Sequence, residues 1–381
     1  MKMKKVGIIT FHNSYNCGSM LETYALQQYL KIKKINNEII DFSNEGQINM
    51  YSVFEKNVNI RKVIKNFITL FHYKKIEKNN KAYQEFQNKF FELSPDKYKY
   101  MNQLNDKRYN IVISGSDQIW NITIPDADDA YFLPWVKDSK RIAYAPSFGA
   151  KDLRKNTNNI GKYIEYLNQY DALSIREFNG QKWLKEMLNK DVEVLIDPTL
   201  LLTADHYNQI IERDYKVPDK YIFFYCPSFN KKICRLVKKI SKKYKLPVIT
   251  WSAKRYYLAG IGKYGFELPK YENPSVYLQL IKNATLNITT SFHGTIFSTI
   301  YKTKFFTIKN GGMYGDDDRV KTLLKQLKLE DRLIVDSFND SFDYTKEVDY
   351  SDYNDELPKL QKKAENYLER NIQGERIETS K

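Results

Sequence analysis

Apolar positions along the first two hundred residues follow two alternating rhythms. Short apolar, β-branched runs at Val6–Phe11, Glu38–Phe42, Asn110–Ser114, Arg141–Ala145, Ala172–Ile175 and Val192–Ile196 predict strands. Between them, Leu21, Ala25, Leu26 and Tyr29 recur at helical spacing within Gly18–Lys33, and helix-like stretches cover 155–169 and 177–189. Residues 51–108 break the alternation with basic, aromatic-rich helical patterns, which predicts a helical insertion or side layer. A second series follows a boundary near Tyr215–Lys220. Its strands are predicted at Tyr221–Tyr225, Pro247–Trp251, 285–290 and Lys304–Ile308, and its helices at 230–244, 274–283, 294–301 and 318–328. Strands alternating with helices imply mostly parallel sheets covered on both faces. The expected fold class is therefore α/β, with two tandem doubly wound, Rossmann-like domains facing a cleft. Residues 1–215 form the first domain, 216–345 the second, and 346–381 a C-terminal helix and tail that pack back on the first.

Composition narrows the function classes. The chain has 381 residues, 42% of them hydrophobic and 28% charged, which describes a globular protein. No apolar run approaches the ~18–20 residues needed to cross a bilayer. The stretch after Met1–Lys5 is too short for a signal-peptide core, so the expected compartment is the cytoplasm. Cys17, Cys226 and Cys234 have neither disulfide-framework nor zinc spacing. The net charge of +15 is concentrated, with +12 in residues 216–270 and +7 in 51–108. Much of the first block lies on the helix at 230–244. There Ile233, Leu236, Val237 and Ile240 define an apolar face, and Lys238, Lys239, Lys242 and Lys243 lie opposite. That lysine face is either a solvated surface or a peripheral contact for an anionic membrane. Nucleic acid is not expected, because no helix-turn-helix, zinc-finger or RNP-type pattern accompanies the charge.

Polar clusters stand where ligands of open α/β sheets bind, at the ends of strands. The most informative is Ser291-Phe292-His293-Gly294-Thr295, a turn from strand into helix. Free N–H groups at a helix start, together with the helix dipole, favour an anion, and an imidazole there can exchange protons near neutral pH. The alternative is an ordinary cap with a satisfied histidine. Similar clusters follow other strands: Asn16-Cys17-Gly18-Ser19, Ser114-Gly115-Ser116-Asp117-Gln118, Pro146-Ser147-Phe148-Gly149 and Arg176-Glu177. Arg176 has the forked geometry suited to phosphate or carboxylate. Asp316-Asp317-Asp318 precedes a helix, where acids favour the dipole without a metal, and no metal site is expected.

Taken together, these motifs resemble the polysaccharide pyruvyl transferase family. The resemblance rests on Asn16-Cys17-Gly18-Ser19 with Leu21 and Tyr24-Ala25-Leu26, and on Gly115 to Asn121. It continues through Ala143 to Gly149, Ser174-Ile175-Arg176-Glu177, Asp197 to Leu201 and Ser291 to Thr295. The motifs run in order from about residue 5 to 325. The resemblance implies a GT-B-like architecture and transfer of pyruvate from phosphoenolpyruvate onto two sugar hydroxyls as a cyclic ketal. It implies a donor site containing Arg176 and His293, with a further cation in the C-terminal domain. The nearest match to that cation is Arg319, after Asp318, where the family often has a lysine in an Asp-Pro-Lys context.

On this reading His293 and Asp117 are catalytic. Arg176, Ser291, His293, Gly294, Thr295 and Arg319 bind the donor, and Asn16, Gly18, Ser116, Gln118 and Ser147 line the acceptor side. The partners are phosphoenolpyruvate and a sugar or lipid-linked glycan acceptor, handled at the inner face of the membrane, and no cofactor is needed. The alternatives are a nucleotide-sugar glycosyltransferase or a non-catalytic glycan- or anion-binding protein on the same scaffold.

Overall fold

A computed structural model describes residues 5–56, 59–309, 318–334 and 342–373. The first sheet contains β1 (Lys5–Ile9), β2 (Asn36–Phe42), β3 (Leu93–Tyr98), β4 (Ile111–Ser114) and β5 (Lys140–Ala143), in the order β3-β2-β1-β4-β5. Every pairing is parallel. A bridge from Ile142 to Ala172 carries it toward a small pair, β6 (Ser174–Ile175) and β7 (Glu193–Val194). The second sheet is built from β8 (Ile222–Tyr225), β9 (Val248–Thr250), β10 (Leu286–Thr289), β11 (Phe305–Ile308) and β12 (Leu333–Ile334). Its order is β12-β11-β10-β8-β9, again wholly parallel. Strands buried on both faces explain why β1, β4, β8 and β11 read as largely apolar runs without alternation.

In each sheet the strand order reverses beside the first strand, between β1 and β4 and between β8 and β10. Loops diverge at such a switch point and leave a crevice at the C-terminal strand ends. The two crevices meet because the helix Cys17–Ile32 packs against the helices Pro274–Asn283 and Phe292–Ile300 of the other sheet. One apolar core runs through this junction, from Val6 and Leu21 to Phe223, Tyr277 and Phe297. Tyr207 bridges it, edge-on to Phe297 with centroids 5.1 Å apart and tilted against Tyr24 at 6.3 Å.

The segment 51–108 departs from the expected helical layer. It does carry the helices Ile60–Phe71 and Tyr73–Phe90, but β3 follows them as the edge strand of the first sheet. Leu93-Ser94-Pro95-Asp96-Lys97-Tyr98 has too few apolar positions to announce a strand. Its proline is tolerated because an edge strand leaves one side unpaired. The final helix, Ser351–Ile372, returns to the first sheet, where the Tyr367 hydroxyl donates to the Ala143 carbonyl at 2.9 Å and the Lys363 ammonium to that of Val194 at 3.1 Å. The basic helix Lys231–Tyr244 buries Ile233, Cys234, Val237 and Ile240 against β8 and β9, so only its lysine side meets solvent. Among the described residues, no helix is long and apolar enough to cross a membrane.

Candidate functional site

Strand ends of the first sheet (β1, β4), of the small β6–β7 pair and of the second sheet (β10) converge on a single buried cluster. Arg176, just past β6, points both terminal nitrogens at carboxylates: Nη1 donates to Asp197 Oδ2 at 2.5 Å, and Nη2 lies 3.4 Å from Asp117 Oδ1. His293 comes from the opposite sheet, in the first turn of the helix after β10, and its Nε2 lies 3.4 Å from the same Asp197 oxygen. Asp197 is also held by the backbone N–H and hydroxyl of Thr199, at 3.0 and 2.6 Å. Asp117 takes the Ser19 hydroxyl at 2.5 Å and stands in the left-handed region, with φ at 68°.

Gly18 is what lets the two halves close. A Cβ on it would lie 2.2 Å from Nδ1 of His293, so only a bare backbone admits the imidazole against the start of the Cys17–Ile32 helix. Asn16 caps that helix by accepting from the Gly18 N–H at 3.0 Å. Gly294 serves a parallel purpose, because a side chain there would strike the Thr289 hydroxyl at 2.4 Å. Phe292 joins the two cations. The guanidinium carbon of Arg176 sits 4.4 Å from its ring centroid and that of Arg319 at 5.7 Å. Arg319, in the helix Asp318–Gln326, therefore shares the cluster with Arg176 and is buried.

The electrostatics are those of a cation-rich nest in low dielectric. Burial alone would raise the Asp197 carboxyl, but His293 and Arg176 beside it hold it well below the usual carboxylate range. Burial likewise works against Asp117, and His293, Arg176 and the Ser19 hydroxyl outweigh it and keep that carboxyl low. Glu22 goes the other way. It is buried next to Asp197 and Asp117, which together push it well above its normal value. Glu177 is raised by burial to about 7. Two buried polar atoms here make no hydrogen bond, Nε of Arg176 and Oε2 of Glu177, while Nε2 of His293 has only its 3.4 Å ion-pair contact with Asp197. Buried donors are normally satisfied, so unpartnered ones mark a place where a ligand can supply the acceptor.

Several expectations need correction. The Gly294 and Thr295 N–H groups are not free for an anion: the first donates to the Ser291 hydroxyl at 3.4 Å and the second to the Ser291 carbonyl at 3.0 Å. Ser291 is thus a helix cap. The Thr295 hydroxyl is spent on Ser291 and Thr307. Ser116 and Ser147 are fully buried with hydroxyls committed to the Ala145 carbonyl and to Glu177, so neither reaches a cleft. Gln118 receives a bond from Asn121 and remains part-exposed. Asp316 and Asp317 lie outside the described residues, as does the side chain of Asp318. Among the described residues, no group of three acids, histidines or cysteines is placed to hold a metal.

Sequence reasoning missed Ser19, Glu22, Glu177, Asp197 and Phe292 as members of the site. Ser19 and Glu22 carried a signal, since residues three apart on a helix share a face. Glu22 uses its face to accept from the Ser116 N–H at 2.6 Å and the Thr10 hydroxyl at 3.1 Å, tying β1 to the loop after β4. Beside the nest lies an open cavity of about 180 Å³, lined among others by Tyr15, Asn16, Asn79, Tyr225, Trp251 and Arg255. The nest residues do not line it. Asn16 connects the two, because it faces the cavity and caps the turn against which His293 lies.

A family model described as polysaccharide pyruvyl transferase matches residues 16–312, which takes in Gly18, Asp117, Arg176, Asp197 and His293. The chain belongs to that family. As a pyruvyl transferase of polysaccharide synthesis it is an enzyme, a transferase. No curated protein matches it. Solved structures similar to it include the S. aureus MnaA–UDP co-structure, at 12% identity and a TM-score of 0.50 over 98% of both chains. A Methanocaldococcus jannaschii UDP-GlcNAc 2-epimerase with UDP-GlcNAc and UDP is 12% identical, covering 95% of this chain and 93% of its own, at a TM-score of 0.44. The E. coli heptosyltransferase WaaC with ADP-2-deoxy-2-fluoro heptose is 12% identical over 96% of this chain and 99% of its own, at a TM-score of 0.40. The likeness to the MnaA structure is one of fold alone. The pyruvyl transferase has two Rossmann-like units, one built on each five-stranded parallel sheet.

Proposed function

We propose that this pyruvyl transferase takes its pyruvyl group from phosphoenolpyruvate and closes it as a ketal across two hydroxyls of a surface-polysaccharide or lipid-linked sugar precursor. The observation that carries the reading is the cross-sheet nest in which Arg176, Arg319 and His293 gather around Phe292, with the Arg176 Nε still lacking an acceptor. Phosphoenolpyruvate is a small, dense anion with a carboxylate and a phosphate, the two groups an arginine fork recognises best.

The chemistry then balances with two protons. The first sugar hydroxyl adds to the central carbon while the methylene carbon gains a proton and becomes a methyl group. The second hydroxyl displaces phosphate from the same carbon, and its proton leaves with the phosphate. His293 is the group we assign to proton delivery and to the departing phosphate, at the point where the halves meet. Asp117, kept low by its neighbours, is a weak store for a proton. It suits a different task within the same catalytic set, accepting a hydrogen bond from an attacking hydroxyl. Asp197 orients both Arg176 and His293 from one oxygen. The adjoining cavity, with Asn16, Tyr15 and Trp251, is our assignment for the sugar.

The test is mass spectrometry of candidate glycans and lipid-linked sugars after incubation with phosphoenolpyruvate. A sugar carrying one carboxyethylidene bridge, formed with stoichiometric phosphate, is the expected product. Sugar transfer from a nucleotide sugar instead would replace this reading with glycosyl transfer.

A further inference from the structure

The helix Ile60–Phe71 is built inside out. Ile60, Ile64, Phe67 and Phe71 recur along one stripe at helical spacing, flanked by Val63 and Leu70, and all six are exposed. Ile60 and Phe71 are each 71% exposed and Phe67 61%. The opposite side, which faces the protein, is polar. Thr69 is buried, Lys62 half-buried, and Asn66 exchanges hydrogen bonds with the backbone of Glu55 at 2.7 and 2.9 Å. A helix in water buries its apolar stripe. This one turns it outward.

We infer that this helix is an interfacial anchor that lies in the headgroup layer of an anionic membrane. Charge complementarity selects that occupant. Arg61 borders the apolar stripe, Lys65 lies farther round the helix, Lys56 precedes it and Lys74 follows it, all exposed. Lys65 has one acidic neighbour, Glu55 at 3.5 Å, and the surrounding segment 51–108 is net +7. An apolar stripe bordered by lysine and arginine is what partitions into lipid headgroups. A second copy of the chain fits the surface poorly. Twelve residues make a face ~18 Å long and ~10 Å wide, on the order of 200 Å², against about 800 Å² per partner in a stable dimer.

The anchor's position matters for the cleft. The Lys254 ammonium donates to the Ser52 carbonyl at 2.9 Å, and Lys62 and Lys65 share a groove with Lys254 and Arg255. Arg255 also lines the cavity beside the nest. Docking through this helix would bring the cavity mouth to headgroup depth, where a lipid-linked sugar presents its hydroxyls. That consequence rests on the transfer reading above, whereas the anchor itself does not. The basic helix Lys231–Tyr244 has charge without an exposed apolar stripe, so it lacks the second half of the anchor.

The test is co-sedimentation of the full chain with phosphatidylcholine vesicles, with and without phosphatidylglycerol, in the absence of any substrate. The parent should sediment with the anionic vesicles, and rising salt should release it. Phe67→Ser with Phe71→Ser, and separately Arg61→Gln with Lys65→Gln, should each lower partitioning about tenfold or more, with unchanged melting temperature. No vesicle binding by the parent, or unchanged binding by both variants, overturns the inference. So does a dimeric parent that becomes monomeric on the serine changes, which would assign the stripe to a second copy. Vesicle binding reads the anchor alone, so a failure of pyruvyl transfer leaves this result interpretable.

Discussion

His293 Nε2 stands 3.4 Å from Oδ2 of Asp197, although one residue follows β10 of the second sheet and the other follows β7 of the first half. The same oxygen receives Nη1 of Arg176, so one carboxylate positions a cation from its own half and an imidazole from the other. A site assembled this way exists only while the two halves are docked. The continuous apolar core through Tyr207, Tyr277 and Phe297 is what keeps them together.

Gly18→Ala should cost far more activity than stability. Alanine is the better helix former, so the Cys17–Ile32 helix loses nothing by propensity. Its methyl group, however, would sit 2.2 Å from the His293 ring and displace it. We expect kcat to fall about 10²-fold or more, as for loss of an acid–base group, with the overpacked contact costing about 1–3 kcal/mol of stability. Full activity in this variant would place the imidazole outside the reaction.

Arg176→Lys keeps one charge but loses the fork that spans Asp197 and Asp117. The KM for phosphoenolpyruvate should rise about tenfold or more while the KM for the sugar stays within about twofold. Steady-state kinetics varying each substrate in turn decides the matter. A rise confined to the sugar would put this arginine on the acceptor side.

Glu177 should make stability fall as pH rises. Its carboxyl is raised by burial from 4.5 to about 7, so the folded protein holds a proton that the unfolded chain releases near pH 4.5. Stability is therefore fullest below pH 4.5 on account of this group, declines as pH rises toward 7, and levels off above it. Glu177→Gln keeps an acceptor for the Ser147 hydroxyl and the Phe148 N–H and cannot ionise. Urea unfolding at pH 5 and pH 8 should show the variant losing less stability than the parent over this interval, by about 2–3 kcal/mol. Equal losses in the two proteins would mean Glu177 is already ionised at pH 5.

Much of the fold was legible because buried parallel strands leave largely apolar runs and helices keep their 3.6-residue spacing. Thus β1, β4, β8 and the helix after β10 fall close to where the sequence predicts them. The edge strand β3 was not legible, since a half-exposed strand with a proline shows neither signal. Within the candidate site, Arg176 and His293 stood out by residue type at strand ends, and Arg319 only through the family resemblance. Asp197 and Glu22 did not, because what matters is the partner each meets across 21 and 94 residues of chain. Ser116, Ser147 and Thr295 illustrate the converse: a hydroxyl at a strand end looks the same in sequence whether it faces a ligand or closes a turn. The outward stripe of Ile60–Phe71 was equally silent, since spacing identifies an apolar face without saying what covers it.

The central claim is that the nest around His293 transfers pyruvate from phosphoenolpyruvate, and acceptor-dependent phosphate release measures it most directly. With a sugar acceptor present, the parent should release phosphate from phosphoenolpyruvate in step with ketal formation, and His293→Ala should lower that rate about 10²–10⁴-fold with the fold intact. Phosphate release that His293→Ala leaves unchanged, or nucleotide release from a nucleotide sugar with none from phosphoenolpyruvate, would contradict it.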